Sequence, residues 1–239
     1  MSGPAPRESA VRICVLYPEL LGTYGDGGNG VVLAQRLRWR GTAAEIVEPT
    51  LGQPMPRSCD VYLVGGGEDA PQTLATERLR DGDLAGAVDG GAVLFAVCAG
   101  LQLIGTSFTA ADGSTVDGLG IVDCATRPRG SRMIGELVVD ATAFDLPRLT
   151  GFENHGGITE LGPGARPLGT VVSGHGDGAG GVDGAVAGRV VGTYMHGPAL
   201  ARNPALADLL LSWVVGDDLA PLDDTLVDQL RVERLRAAR

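Results

Sequence analysis

The sequence predicts an α/β fold with a mostly parallel central sheet flanked by helices. Three observations carry this. Short apolar runs of the buried-strand type alternate with helically spaced segments through about residue 107. Two of the early runs lead into glycine-rich turns, Gly22 to Gly30 and Gly65 to Gly67, where an α/β sheet places its ligand loops. The strongest run, Ala92 to Val97, passes into helical spacing at Ala99 with only one residue between them.

Val11 to Pro18 opens the sheet, and the glycine-rich turn that follows delivers the chain to Val31–Arg40. There Val31, Leu33, Ala34 and Leu37 recur at helical spacing, and Gly41 ends the helix. Ala43 to Val47 and Asp60 to Val64 are the next two strands. Pro71 to Val88 reads as helix in one or two pieces, Ala92 to Val97 as a buried strand and Ala99 to Ser107 as a helix. Beyond that the style changes. Gly135 to Asp140, Thr170 to Ser173 and Arg189 to Met195 read as strands with little helix between them, and Gly174 to Gly188 as a loop rich in Gly and Asp. Asn203 to Val215 is a helix with Pro204 in its first turn. Leu222 to Arg236 is another, with Leu222, Leu226, Leu230 and Leu235 on one stripe.

With 239 residues, 44% of them hydrophobic, the chain suits a single domain over 1–239: a core of about 10–200 and C-terminal helices over 203–239. A net charge of −10 without a basic cluster argues against nucleic acid or an anionic membrane as the main partner. No segment approaches the roughly 18 apolar residues of a membrane span. Met1 to Ser9 lacks the basic-then-apolar layout of a signal peptide. A cytoplasmic location is the expectation. The four cysteines, at 14, 59, 98 and 124, form no CxxC pair, so neither a zinc site nor any other metal site is expected. Cys14, Cys59 and Cys124 are expected to be reduced, buried and structural.

Cys98 stands apart. Leu94 to Gly105 reads L-F-A-V-C-A-G-L-Q-L-I-G, which sets Cys98 between a buried strand and a helix with Ala96, Ala99 and Gly100 around it. A sharp strand-to-helix turn presents a side chain at the C-terminal edge of a sheet, and small neighbours are what such a crowded turn admits. The helix N-terminus beyond it favours a thiolate, and the Ala99 N–H is placed to stabilise an oxyanion. A cysteine nucleophile needs a base, and the chain has three histidines, 155, 175 and 196. His175 lies in the Gly/Asp loop. His196 follows an apolar strand and precedes Gly197-Pro198, a position from which a sheet can aim a side chain at the elbow.

Five motifs in order then resemble one family. They are Y-P-x-L-x-x-x-Y-G-D-x-G-N (Tyr17 to Asn29), G-G-G-x-D (65–69), C-x-G-x-Q (98–102), G-x-E-N-H-G-G (151–157) and Y-M-H-G-P (194–198). Together they are similar to the class I, triad-type glutamine amidotransferases. The likeness is to the cobyric-acid-synthase-like branch, and within it to the GatD-type glutaminase subunits of lipid II isoglutaminyl synthase.

The resemblance implies a flavodoxin-like fold, Cys98 as nucleophile and His196 as base. It implies Gly66 or Gly67 as the second oxyanion donor, Arg132 from the group Arg127, Arg129 and Arg132 as the contact for the glutamine α-carboxylate, and Gln102, Asn154 and His155 beside the substrate. Many members carry His-x-Glu, the Glu orienting the imidazole, whereas position 198 here is Pro. The orienting acid is therefore expected elsewhere, at Glu153 or on a partner chain. The resemblance further implies no cofactor in this chain, with ATP and Mg used by a MurT-like subunit of the Mur-ligase family. That subunit would take the ammonia and amidate the D-glutamate of the lipid II stem peptide, bringing the complex to the inner face of the membrane without inserting this chain. The alternatives are the amidotransferase half of a cobyrinate-type amidase, a non-catalytic regulatory module on the same fold and a cysteine peptidase.

Overall fold

A computed structural model describes residues 9–216 and 219–237 of the chain; the segment read for a leader lies mostly outside them. Four apolar strands lie side by side in parallel and form the centre of the first sheet: β1 (Val11–Val15), β3 (Val61–Val64), β4 (Val93–Val97) and β12 (Val190–Thr193). At one edge β2 (Ala44–Val47) adds in parallel to β1, and at the other β11 (Ala185–Ala187) pairs antiparallel with β12. The order is β11-β12-β4-β3-β1-β2. β3 and β4 are buried along their whole length, as strands covered by helices on both faces must be.

The helices between them are α1 (Pro18–Leu21), α2 (Gly28–Trp39), α3 (Asp69–Asp81), α4 (Leu84–Asp89) and α5 (Ala99–Ile104). The helix expected from Val31 begins at Gly28, inside the glycine-rich turn. The segment expected as helix over 71–88 is two helices, divided at Gly82-Asp83. The helix expected to run to Ser107 stops at Gly105, where a Cβ would come within 2.7 Å of the Cys124 carbonyl oxygen.

A second sheet was only partly foreseen. It holds β5 (Ser107–Thr109), β6 (Thr115–Asp117), β7 (Cys124–Asp140), β8 (Leu149–Leu161), β9 (Gly169–Ser173) and β10 (Val182–Asp183). The strand expected over 135–140 is the end of a 17-residue strand that pairs antiparallel with β8 along most of its length. The residues of β8 were read as a motif and not as a strand. Its inward positions include Glu153, His155 and Thr159, so from Gly151 to Glu160 burial alternates while hydrophobicity does not. The Gly/Asp loop likewise contains β10 and β11.

The chain closes with α6 (Ala199–Arg202), α7 (Pro204–Val215) and α8 (Thr225–Ala237). α8 buries none of the leucine stripe: the helix has no buried residue, and Leu226 is 75% exposed. None of the described helices is long and apolar enough to cross a membrane.

Candidate active site

Parallel strands release their loops at one edge, and that edge assembles the site. Cys98 follows β4 and His196 lies just beyond β12, the strand next to it. Gly66 follows β3, and Asp26 lies in the turn between β1 and α2.

Cys98 occupies φ 53°, ψ −108° and caps α5, a strained conformation for a residue with a side chain, costing on the order of 1–3 kcal/mol. The neighbours explain how it is held. Its own N–H donates to the Thr193 carbonyl of β12 at 2.8 Å, which leaves Ala99 as the first helical N–H facing the site. Gly100 packs so closely on the Val64 carbonyl that no side chain fits there.

His196 Nδ1 donates to Asp26 Oδ2, 2.9 Å away, and both side chains are buried. The same Asp26 oxygen accepts the Gly66 N–H at 2.9 Å. Burial acts to lower the His196 pKa, but the hydrogen bonds and charges of Asp26 and Cys98 outweigh it and raise it to about 10. Nε2 is buried and, the Cys98 thiol apart, has no hydrogen-bond partner. With Cys98 only 6% exposed and His196 2%, the reactive pair is sealed from bulk water.

The acid beside His196 is therefore Asp26 of this chain, and two expectations change. Glu153 does not serve His196. It is fully buried and accepts the His175 N–H at 2.8 Å, His175 Nδ1 at 2.8 Å and the Gly176 N–H at 2.9 Å, which ties down the 174–176 loop. The other expectation was an acid from another chain, and here Asp26 occupies the place beside Nδ1. Pro198, standing where a Glu was sought, packs against Gly28 at the start of α2. Asn29 of that helix accepts the Leu200 N–H at 2.9 Å, so one glycine-rich turn grips the whole segment after β12. Asp26 is the sole carboxylate between Gly22 and Gly30, a signal the sequence contained.

The glycine loop is also rearranged. The Gly66 N–H is committed to Asp26, and a Cβ on Gly66 would meet His196 Cε1 at 2.6 Å. Gly67 approaches the Leu20 carbonyl so closely that a Cβ would lie 2.6 Å from its oxygen. Close approach, not a positive φ, requires both glycines.

Arg132 lies on β7 beside Asn154 and Tyr24. Its Nε donates to Asn154 Oδ1 at 3.0 Å, and a terminal nitrogen lies 3.3 Å from the Asn154 carbonyl and 3.5 Å from the Tyr24 hydroxyl. Asn154 Nδ2 reaches the same hydroxyl at 3.3 Å, and the Tyr24 ring packs on His196 with centroids 4.5 Å apart. Among the described residues no carboxylate pairs with Arg132. Arg127, by contrast, is paired with Glu160 at 2.8 Å.

Arg132, Gln102, Thr126 and Gly157 line a cleft of about 390 Å³. Cys98 and His196 do not line it; Gln102, one helical turn past Cys98, does. His155 is buried and stacked on Tyr194, with centroids 3.6 Å apart, so it supports the site from behind. Cys14, Cys59 and Cys124 are free and buried.

Residues 12–204 match the CobB/CobQ-like glutamine amidotransferase domain. The chain is 34% identical over 195 residues to the GatD subunit of the glutamine-hydrolysing lipid II isoglutaminyl synthase of Staphylococcus aureus strain N315, covering 80% of this chain and 79% of that one. It is 32% identical to the Streptococcus pneumoniae GatD subunit, over 84% of this chain and 79% of the relative. A cobyric acid synthase of Sphingopyxis alaskensis is 33% identical over 67% of this chain, but the match spans 33% of that longer protein. Among solved structures, a glutamine amidotransferase of Thermotoga maritima superimposes with a TM-score of 0.54 at 16% identity, covering 97% of this chain and 93% of that one. The glutaminase domain of a Trypanosoma brucei CTPS, solved with acivicin, gives 0.51 at 12% identity over 88% and 96% of the two chains. These last two bear on the fold alone. A domain match over most of the chain, carried on the sheet edge where Cys98 meets His196, identifies the chain as a member of the CobB/CobQ-like glutamine amidotransferase family.

Proposed function

We propose that this chain is the glutaminase subunit of a lipid II isoglutaminyl synthase. It hydrolyses L-glutamine through a Cys98 thioester and delivers ammonia to a separate MurT-like, ATP-dependent ligase subunit. That subunit amidates the α-carboxyl of D-glutamate in the peptidoglycan stem peptide to D-isoglutamine. The observation that carries the chemistry is the buried line Asp26–His196 beside a strained Cys98 elbow. What favours this acceptor over a corrinoid is extent: the chain spans about four-fifths of the GatD subunits but a third of a cobyric acid synthase.

In this reading the Cys98 thiolate attacks the γ-carbonyl carbon of glutamine, and the Ala99 and Gly67 N–H groups receive the oxyanion. His196, held in one orientation by Asp26, gives its Nε2 proton to the departing nitrogen. Ammonia leaves and a glutamyl thioester remains. Neutral His196 then takes a proton from water as it attacks the thioester, and glutamate departs with the thiolate restored. Arg132 holds the α-carboxylate, with Asn154 orienting the guanidinium.

The test is to co-express the chain with a Mur-ligase-like partner and supply glutamine, ATP and lipid II. Amidated lipid II is expected, and Cys98→Ala or His196→Ala should abolish ammonia release from glutamine. Amidation of a cobyrinate substrate in place of lipid II would overturn the acceptor. Wild-type ammonia release by either variant would overturn the site.

A further inference from the structure

A line of buried and half-buried polar groups runs along the cleft. Gln102 Oε1 accepts from Gln72 Nε2 at 2.8 Å, and Gln102 Nε2 donates to the Tyr194 hydroxyl at 3.3 Å. Tyr194 shares a 2.6 Å hydrogen bond with Thr159, which shares one of 2.8 Å with Thr126. In each of the last two bonds either oxygen can donate, so the hydroxyls can run in both directions. They therefore do not dictate which end of the Gln102 amide faces Tyr194. The amide's other partner is Gln72, a buried residue in the first turns of α3, which donates to Oε1.

Gly157 leaves the amide open to the cleft. A Cβ there would lie 2.8 Å from Gln102 Nε2 and 3.4 Å from the Tyr194 hydroxyl, so any side chain would cover the spot. An amide nitrogen carries two hydrogens, and Tyr194 takes one of them.

We propose that Gln72 is a positioning residue for glutamine recognition: by donating to Gln102 Oε1 it turns the second Gln102 N–H into the cleft beside Gly157, where it donates to an oxygen of the bound glutamine. The inference rests on the reading of this cleft, with Arg132 on its wall, as the glutamine site. Gln72 itself touches no substrate and acts through Gln102.

The experiment is calorimetric titration of L-glutamine into the Cys98→Ala chain, which binds without turnover. Gln72→Glu places an acceptor where the donor was, reverses the Gln102 amide, and is expected to weaken binding about tenfold, as the loss of one hydrogen bond does. Gln72→Met removes the constraint without reversing it and should cost about threefold; it also answers the question if Gln72→Glu fails to fold. In a Gln102→Met background, Gln72→Glu should change Kd by less than about twofold. Unchanged binding in a folded Gln72 variant, or a full tenfold loss that persists in the Gln102→Met background, would overturn the proposal alone. If the Cys98→Ala chain binds no glutamine, the reading of the cleft falls and this inference with it.

Discussion

Asp26 Oδ2 accepts two hydrogen bonds at once, from Gly66 N–H and from His196 Nδ1, and so fixes the imidazole relative to the glycine loop. Its charge is one of the interactions that hold the His196 pKa up at about 10. In the proposed mechanism the imidazolium is then available to protonate the departing nitrogen well above neutral pH. Asp26→Asn removes a raising interaction, so the alkaline limb of kcat/KM for ammonia release should move to lower pH. Losing an oriented acid–base partner should also reduce kcat by roughly 10²–10⁴-fold. A pH–rate profile superimposable on that of the wild type would show that Asp26 does not act on His196. The same scale shows what was hidden in the sequence. Cys98 and His196 stand in local contexts, elbow and strand end, that declare them. Asp26 is 170 residues from its partner, and nothing local connects the two.

At the scale of elements, the end of β12 must be stiff for His196 to meet Cys98, and Asp183 of β10 stiffens it. Its carboxyl accepts the Thr193 hydroxyl at 2.6 Å and the Tyr194 N–H at 3.1 Å. Complete burial pushes its pKa up to about 7, against the lowering effect of those two hydrogen bonds. An unfolded aspartate titrates near ~3.9. Between the two values the folded chain keeps a proton that the unfolded chain has lost. This group's contribution to stability is therefore full below pH ~4 and declines as pH rises through about 7. Asp183→Asn should flatten urea-unfolding stability across that interval, and an unchanged slope would count against this account. β10 was read as loop because two residues of strand in a Gly/Asp stretch carry no periodicity. β8 was missed for the opposite reason: its buried face carries charge and imidazole that only its partners across the sheet make tolerable.

At the scale of the molecule, the C-terminal segment is joined to the first sheet's helices by one ion-pair cluster. Arg36 of α2 is buried and makes paired 2.7 Å contacts with Asp208 of α7 and Asp224 just before α8. Arg40 adds a 2.8 Å contact to Asp208. Arg36→Ala leaves two partly buried carboxylates facing each other and should cost roughly 2–4 kcal/mol of unfolding free energy. Limited proteolysis should then cut between α7 and α8 before the rest of the chain. Resistance equal to that of the wild type would mean that other contacts carry the tail. The leucine stripe of α8 was legible, but periodicity shows that a face is apolar and not whether the fold covers it.

By itself the sequence determined the alternating α/β sheet and the family, and it singled out Cys98, His196 and Arg132 as the candidates for nucleophile, base and carboxylate contact. Each is written in a short window of residues whose spacing has one good structural use. The tertiary structure alone decided which carboxylate orients His196, that Gly66 serves Asp26 and not an oxyanion, and that Gln72 stands behind Gln102. Those are contacts between loops brought together at one edge of a parallel sheet. Neighbouring strands there come from distant parts of the chain, so proximity is a property of strand order and not of sequence spacing.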